Sequence, residues 1–175
     1  SGVYPTTVSS STIISGDTPP TVSSGALVFN GSQNIRYTDV PFWHVVPDYS
    51  VEFEFYTSST STLQTVATVG GSNTNAPEWM VYVYQNNLVF YSGAQASGGS
   101  TTTINFLSSG FNPTTWYKVG FMNYSSSGIF RVRGYVNDVQ RFDTALAGNA
   151  INDSPYGFSI GGDSLKDPIR QFTGG

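Results

Sequence analysis

Between residues 49 and 57 the chain reads YSVEFEFYT, with an apolar residue at every second position of its centre. Successive side chains of a β-strand point to opposite faces, so Val51, Phe53 and Phe55 share one face and Glu52, Glu54 and Tyr56 the other. The first face is expected in a core. In EWMVYVY (78–84) both alternating sets are large: Trp79, Val81 and Val83 on one side, Met80, Tyr82 and Tyr84 on the other. A strand covered on both faces belongs near the centre of its sheet.

The same reading predicts strands at 26–29, 34–37, 49–57, 64–70, 78–84, 87–92, 102–107, 115–124, 129–137, 139–142 and 156–162. About eleven short strands separated by Gly, Asn, Pro and Ser indicate an all-β fold, an antiparallel β-sandwich jelly roll. Residues 1–24 are rich in Ser, Thr and Pro and are expected to form a lead-in, with one strand at 11–15. A helical turn is conceivable only in ALAGNAI (145–151), where Gly148 weakens it. In RGYVNDVQRF (133–142), Asn137 and Asp138 interrupt the alternation as a pair that tolerates positive φ, the signature of a two-residue type I′ hairpin. With 175 residues and no internal repeat or linker, one domain with one substantial core is expected.

Composition narrows the function classes. Charged residues are 10% of the chain against the roughly 25% usual in soluble domains, so Ser, Thr, Asn, Gln and Gly must build the surface. A net charge of −4 with only 7 Lys plus Arg leaves no basic patch for a phosphate backbone, which excludes nucleic acid as a partner. No run approaches the ~18 apolar residues of a membrane span, and the first residues lack the charged start and apolar centre of a signal peptide. A soluble chain without membrane insertion is expected. Zero cysteines excludes disulfides and thiolate metal sites. A Cys-free, hydroxyl-rich β protein fits a secreted module or a virus particle surface.

The order of the strand signals resembles a family. GALVFNGSQNIRYTDV (25–40) looks like the opening of a laminin-G-like domain of the concanavalin A-like superfamily, and YSVEFEFYTSS (49–59) and QTVATVGG (64–71) are similar to its next two strands. WMVYVYQNNLVFYS (79–92) resembles its central hairpin. NPTTWYKVGFMNYSSSGIFRVRGYVNDVQ (112–140) resembles the long strand pair introduced by a Trp-Tyr and closed by a Tyr-Val-Asn-Gly-like turn, here with Asp138 where Gly is commoner. YGFSIGGDSLKDPIRQFTGG (156–175) matches the closing segment, so the resemblance spans 25–175. In such domains FTG usually leads into one more strand, which is not present after Gly175. The resemblance therefore implies that the sequence is a fragment, or that residues 11–15 or a neighbouring chain fill an open edge.

Candidate chemistry is sparse. Glu52 and Glu54 form the only close carboxylate pair on a strand, about 7 Å apart by strand rise. Related glycoside hydrolases carry a third acid in this pattern, and retaining cleavage needs carboxyls about 5 to 5.5 Å apart. Phe55 and Tyr56 follow instead, so a solvated strand face is expected and no catalytic residue is assigned. His44, in PFWHVV, has no His or Cys partner nearby, and no serine elbow occurs. For Ca²⁺, Asp39, Asp48, Asp163 and Asp167 lie in predicted loops, where carboxylates and carbonyls supply hard oxygen ligands, but no spaced acidic motif selects a site.

Aromatics offer the other reading, because sugar rings lay C–H faces on Trp and Tyr while amides and carboxylates take the hydroxyls. Tyr82, Tyr84, Gln85, Asn86 and Tyr91 surround one hairpin, with Glu52, Glu54 and Tyr56 expected on the same sheet face and Trp43 on a separate loop. Most of the 12 Phe, 11 Tyr and 3 Trp must fill the core, and Trp116, Phe121, Phe130 and Phe158 are placed there. The resemblance implies a non-catalytic recognition module that binds glycans or a glycosylated surface, outside the cell or on a virion. The alternatives are a module docking on partner proteins or a second copy through an open sheet edge and, third, a glycoside hydrolase.

Overall fold

The structure is a computed structural model that describes residues 7–8, 11–12, 20–41, 48–70, 77–93, 101–147, 154–162 and 172–175. Among the described residues fifteen strands run in chain order: β1 (Thr7–Val8), β2 (Ser11–Thr12), β3 (Thr21–Ser23), β4 (Ala26–Asn30), β5 (Ile35–Arg36), β6 (Tyr49–Phe55), β7 (Gln64–Val69), β8 (Trp79–Tyr84), β9 (Asn87–Ser92), β10 (Thr102–Leu107), β11 (Tyr117–Ser126), β12 (Ile129–Val136), β13 (Val139–Ala145), β14 (Phe158–Ile160) and β15 (Thr173–Gly174). Two sheets form the sandwich, a six-stranded one ordered β10-β9-β8-β7-β14-β5 and a four-stranded one ordered β13-β12-β11-β6. A three-stranded sheet, β15-β4-β3, lies beside them, and β1 pairs β2 alone. All pairings are antiparallel. Among the described residues no helix is long and apolar enough to cross a membrane.

The alternation in the sequence sets which side chains meet between the sheets. Trp79, Val81, Val83, Leu88 and Phe90 come from the six-stranded sheet, and Phe55, Val119, Phe121, Val132 and Val136 from the four-stranded one; all are buried in a single cluster. Rings interlock across the gap, with Trp79 and Phe90 at 4.9 and 5.0 Å from Phe121. Each such ring contributes roughly 1.5–3 kcal/mol by burial, with edge-on geometry adding to it. Gly134 on β12 makes room for this packing: a Cβ there would lie 2.3 Å from the Phe142 ring and 2.7 Å from Phe106.

Tight hairpins turn the strands. Asn137 and Asp138 have φ of 50° and 63°, and Gln85 and Asn86 have 49° and 60°, as type I′ turns require. Strand β8 is central and covered on both faces over most of its length, as its composition requires. Other expectations are corrected. Of the strand expected at 11–15, Ser11–Thr12 pairs Thr7–Val8, and 13–15 lie outside the described residues. Strands β3 and β15 carry too few apolar residues to be read from a pattern, and β13 extends past Phe142 to Ala145 through the half-buried Asp143 and Thr144. Trp116 is not core: it is 49% exposed, just ahead of the point where β11 begins. The proposed helical turn lies largely outside the described residues, beyond Ala147.

Candidate functional site

Strand β11 runs along the middle of the four-stranded sheet, and its alternation decides what that sheet shows to solvent. Tyr117, Val119, Phe121 and Asn123 are buried, whereas Lys118, Gly120, Met122 and Tyr124 are half-buried on the outer side. Trp116 continues the outer phase. From Trp116 to Tyr124 this side chain row extends about 27 Å. The neighbouring strands add to it in register: Glu54, Glu52 and Ser50 lie opposite Lys118, Gly120 and Met122, while Tyr135, Arg133 and Arg131 lie opposite Gly120, Met122 and Tyr124. The result is one continuous outer face.

Three neighbourhoods divide this face. At one end the exposed Trp116 ring meets Tyr56 edge-on, with centroids 4.8 Å apart. In the middle a shallow depression of about 370 Å³ opens over Gly120, bordered by Ser50, Glu52, Met122, Tyr135 and Asp138. A missing side chain makes the hollow, and a Cβ on Gly120 would meet its nearest neighbour at an ordinary 3.6 Å. Lys118 stands at its rim, with Nζ 2.9 Å from Asp138 and 3.4 Å from Glu52. These two carboxylates hold the ammonium charged, Asp138 contributing more than Glu52. The turn is anchored to β11 as well: the Lys118 N–H donates to Asn137 Oδ1 at 2.9 Å, and the Asn137 N–H donates to the Lys118 carbonyl at 2.8 Å.

The far end is an ion cluster. Asp143 accepts from the Tyr124 hydroxyl at 2.7 Å, from Arg131 Nε at 3.0 Å and from Arg133 Nη2 at 2.7 Å. The Arg133 guanidinium also lies over the Tyr124 ring, 5.0 Å from its centroid. The Tyr124 hydroxyl first, then the two arginines, lower the Asp143 pKa from 3.8 to about 2. The guanidinium groups are held more firmly protonated in return, Arg131 by Tyr124 and Asp143, Arg133 foremost by Asp143. Such a cluster fixes two long side chains in one geometry, which leaves ordered donors on the surface.

The candidate residues from the sequence fall on opposite sides of the molecule. Glu52, Glu54 and Tyr56 belong to the four-stranded face. Tyr82, Tyr84 and Tyr91 project from the six-stranded sheet, in the phase opposite to the core residues Val81, Val83, Leu88 and Phe90. With sheets about 10 Å apart and these side chains pointing away from each other, no single groove holds both sets. Gln85 and Asn86 serve the turn: Asn86 Oδ1 accepts from the Thr60 hydroxyl, and the Gln85 carbonyl accepts from the Asn87 amide at 3.0 Å. Asp39 and Asp48 are exposed, and among the described residues no three of His, Cys, Asp and Glu converge on a point suited to a metal. Trp43, His44, Asp163 and Asp167 lie outside the described residues.

Solved structures share this architecture. The mouse laminin alpha1 chain, domains LG4-5, matches at 15% identity with a TM-score of 0.54, over 84% of this chain and 37% of that one. The fold is a laminin-G-like, concanavalin A-like jelly roll. The CBM40 domain of the Ruminococcus gnavus IT-sialidase, bound to alpha2,3 sialyllactose, matches this jelly roll at 12% identity and a TM-score of 0.56, over 73% of this chain and 71% of that one. The receptor-binding domain of botulinum neurotoxin type G matches at 13% identity and 0.54, over 84% of this chain and 37% of that one. The chain thus spans little more than a third of the laminin and toxin chains it matches. No protein-family model matches the chain, and no curated protein matches it in sequence.

Lys118, Tyr135, Asp138 and the Tyr124–Arg131–Arg133–Asp143 cluster were not among the candidates read from sequence. A signal for them exists. W-x-K-x-G-x-M-x-Y at 116–124 and R-x-R-x-Y at 131–135 are the solvent phases of two strands whose other phase is apolar, and they pair in register.

Proposed function

We propose that the protein is a non-catalytic recognition module that binds carbohydrate on the outer face of its four-stranded sheet. One observation carries this reading: a single face combines the exposed Trp116–Tyr56 pair, a hollow over Gly120 beside Tyr135, and ordered carboxylate, ammonium and guanidinium groups. Aromatic faces take the apolar side of a sugar ring and the charged groups take its hydroxyls. The fold neighbours support the choice of ligand class, since one was solved with sialyllactose bound and another comes from botulinum neurotoxin type C, whose cell entry is dependent upon interaction with two ganglioside molecules.

Hydrolysis is disfavoured by the surroundings of the two glutamates. A glycosidase acid must be kept protonated, commonly by an apolar pocket. The Glu52 side chain is 64% exposed and lies 3.4 Å from the Lys118 ammonium, so no apolar pocket encloses it. A module of this kind would act outside the cell, on a microbial surface or a virus particle, a setting its charge-poor, cysteine-free composition suits.

The test is a glycan panel that includes sialylated and neutral oligosaccharides, run with Ca²⁺ and again with chelator. Selective binding that is lost in Gly120→Phe, with an unchanged melting temperature, supports the reading. The added ring fills the hollow without entering the core. Binding that survives Gly120→Phe overturns the placement on this face, and a blank panel under both conditions overturns carbohydrate recognition itself. Selective loss with chelator would assign a Ca²⁺ ion to the site.

A further inference from the structure

Asn-x-Ser, the acceptor pattern for an N-linked oligosaccharide, occurs at 30–32, 123–125 and 152–154. Asn112 also precedes a Thr by two, but Pro113 between them spoils the pattern. The fold separates these places. Asn123 points inward from β11, is 2% exposed, and is paired across the sheet with Tyr49 and Val132. A bulky hydrophilic group on it cannot coexist with the closed sandwich. The pattern at 152–154 begins outside the described residues. Asn30, by contrast, ends β4 and is exposed, as is Ser32.

The turn after β4 does more than expose the amide. Gly31, with φ of 87°, bends the chain, and the left-handed conformation suits glycine there. On this bend Asn30 Oδ1 accepts from the Ser32 N–H at 3.1 Å and from the Ser32 hydroxyl at 2.8 Å. Two further bonds hold the turn on the sandwich: the Asn30 N–H donates to Oε1 of the buried Gln33 at 3.0 Å, and the Gly31 N–H donates to the Phe172 carbonyl at 3.1 Å. Among the described residues Asn30 Nδ2 makes no hydrogen bond. Both donors therefore act on the oxygen of the carboxamide, and its nitrogen is left unengaged. Donors on Oδ1 draw charge onto the oxygen and stabilise the imidate form, in which Nδ2 carries a usable electron pair.

We propose that Asn30 is an N-glycosylation acceptor, modified at Nδ2 by a transferase that draws on a lipid diphosphate-linked oligosaccharide. A bond forms between Nδ2 and C1 of the first sugar, the bond from C1 to the diphosphate oxygen breaks, and the lipid diphosphate leaves with the electron pair. Nδ2 gives up one proton to a base on the transferase. Ser32 is the positioning residue, since its hydroxyl orients the amide and polarises Oδ1. Asn30 lies on β4, outside the four strands that make the proposed ligand face, so the assignment does not depend on what that face binds.

Secretion of the chain from a eukaryotic host, followed by intact mass and peptide mapping, tests this. The expected result is an added oligosaccharide that a peptide amidase removes, leaving aspartate at position 30 and Asn123 unaltered. Ser32→Thr keeps the hydroxyl and should keep the modification. Ser32→Ala and Asn30→Gln should lose it, while their melting temperatures stay with that of the amidase-treated parent. Because Ser32→Thr and Ser32→Ala both change the same turn, retention in one and loss in the other separates the hydroxyl from a defect in folding. A secreted parent that carries no sugar, a sugar that persists in Asn30→Gln, or equal occupancy in Ser32→Ala and the parent would overturn the proposal.

Discussion

The two outer faces of the sandwich differ in what lies above them. At the centre of the six-stranded sheet Thr65, Thr68 and Ser159 are 0% exposed and Met80 2%, although they point away from the core between the sheets. Their hydroxyls are used internally: Thr68 Oγ1 donates to the Trp79 carbonyl at 2.8 Å, and Ser159 Oγ to the Gly162 carbonyl at 2.9 Å. The central row of the four-stranded face is instead half open and set with charges. Small hydroxyls in a solvent phase can therefore mark a sealed face, while long charged side chains mark an open one, because only small groups can be covered without stranding a charge.

Placing the same amide on each face makes the difference measurable and gives the largest expected effect. Thr68→Gln must fit a longer polar group into closed space and gives up the bond to the Trp79 carbonyl, a loss of ~3 kcal/mol. Met122→Gln, at the matching outer phase of β11, is expected to stay within about 0.5 kcal/mol of the parent. Denaturant unfolding of the two variants checks both values. Equal losses would mean that the two faces are covered alike.

How much of this was legible in the sequence depends on whether one strand or two had to be read. Alternation within YSVEFEFYT and EWMVYVY places Val51, Phe53 and Phe55 inward and β8 at the centre, because side chain direction is a property of one strand. The sheet to which a strand belongs is a long-range property. Glu52 and Tyr82 carry the same kind of local signal, yet β6 pairs β11 and β8 pairs β7 and β9, and that sets them on opposite sides. Trp116 was misplaced for another reason. Its size argues for burial, but it shares the phase of Lys118 and Met122, and phase outweighs size where a strand begins.

Ligand binding sharpens the comparison further. If carbohydrate rests on the four-stranded face, Trp116→Ala should weaken it about tenfold, the ~1.4 kcal/mol expected for one stacking ring. Tyr84→Ala, the most exposed ring of the six-stranded sheet at 39%, should leave affinity unchanged. Titration of one glycan hit against both variants decides between the faces. The reverse pattern would move the site to the β8–β9 hairpin.

The smallest effect concerns the ion cluster that orders the open face. The Asp143 pKa falls from 3.8 to about 2 on folding, so the folded protein holds the carboxylate while the unfolded chain takes up a proton more readily. The stabilising contribution is therefore complete above about pH 4 and disappears as pH falls toward 2. Asp143→Asn should lower the melting temperature by a few degrees at neutral pH and by nothing near pH 2. Tyr124→Phe should raise the Asp143 pKa of the folded variant back toward 3.8, so that less stability is lost between pH 4 and pH 2 than in the parent, since the Tyr124 hydroxyl is the foremost cause of the depressed value. Melting curves of the three proteins from pH 2 to pH 7 read this directly. A gap between parent and Asp143→Asn that persists unchanged at pH 2 would show that the asparagine acts through shape and not through the lost charge, and the cluster would then be a packing feature of β11 to β13.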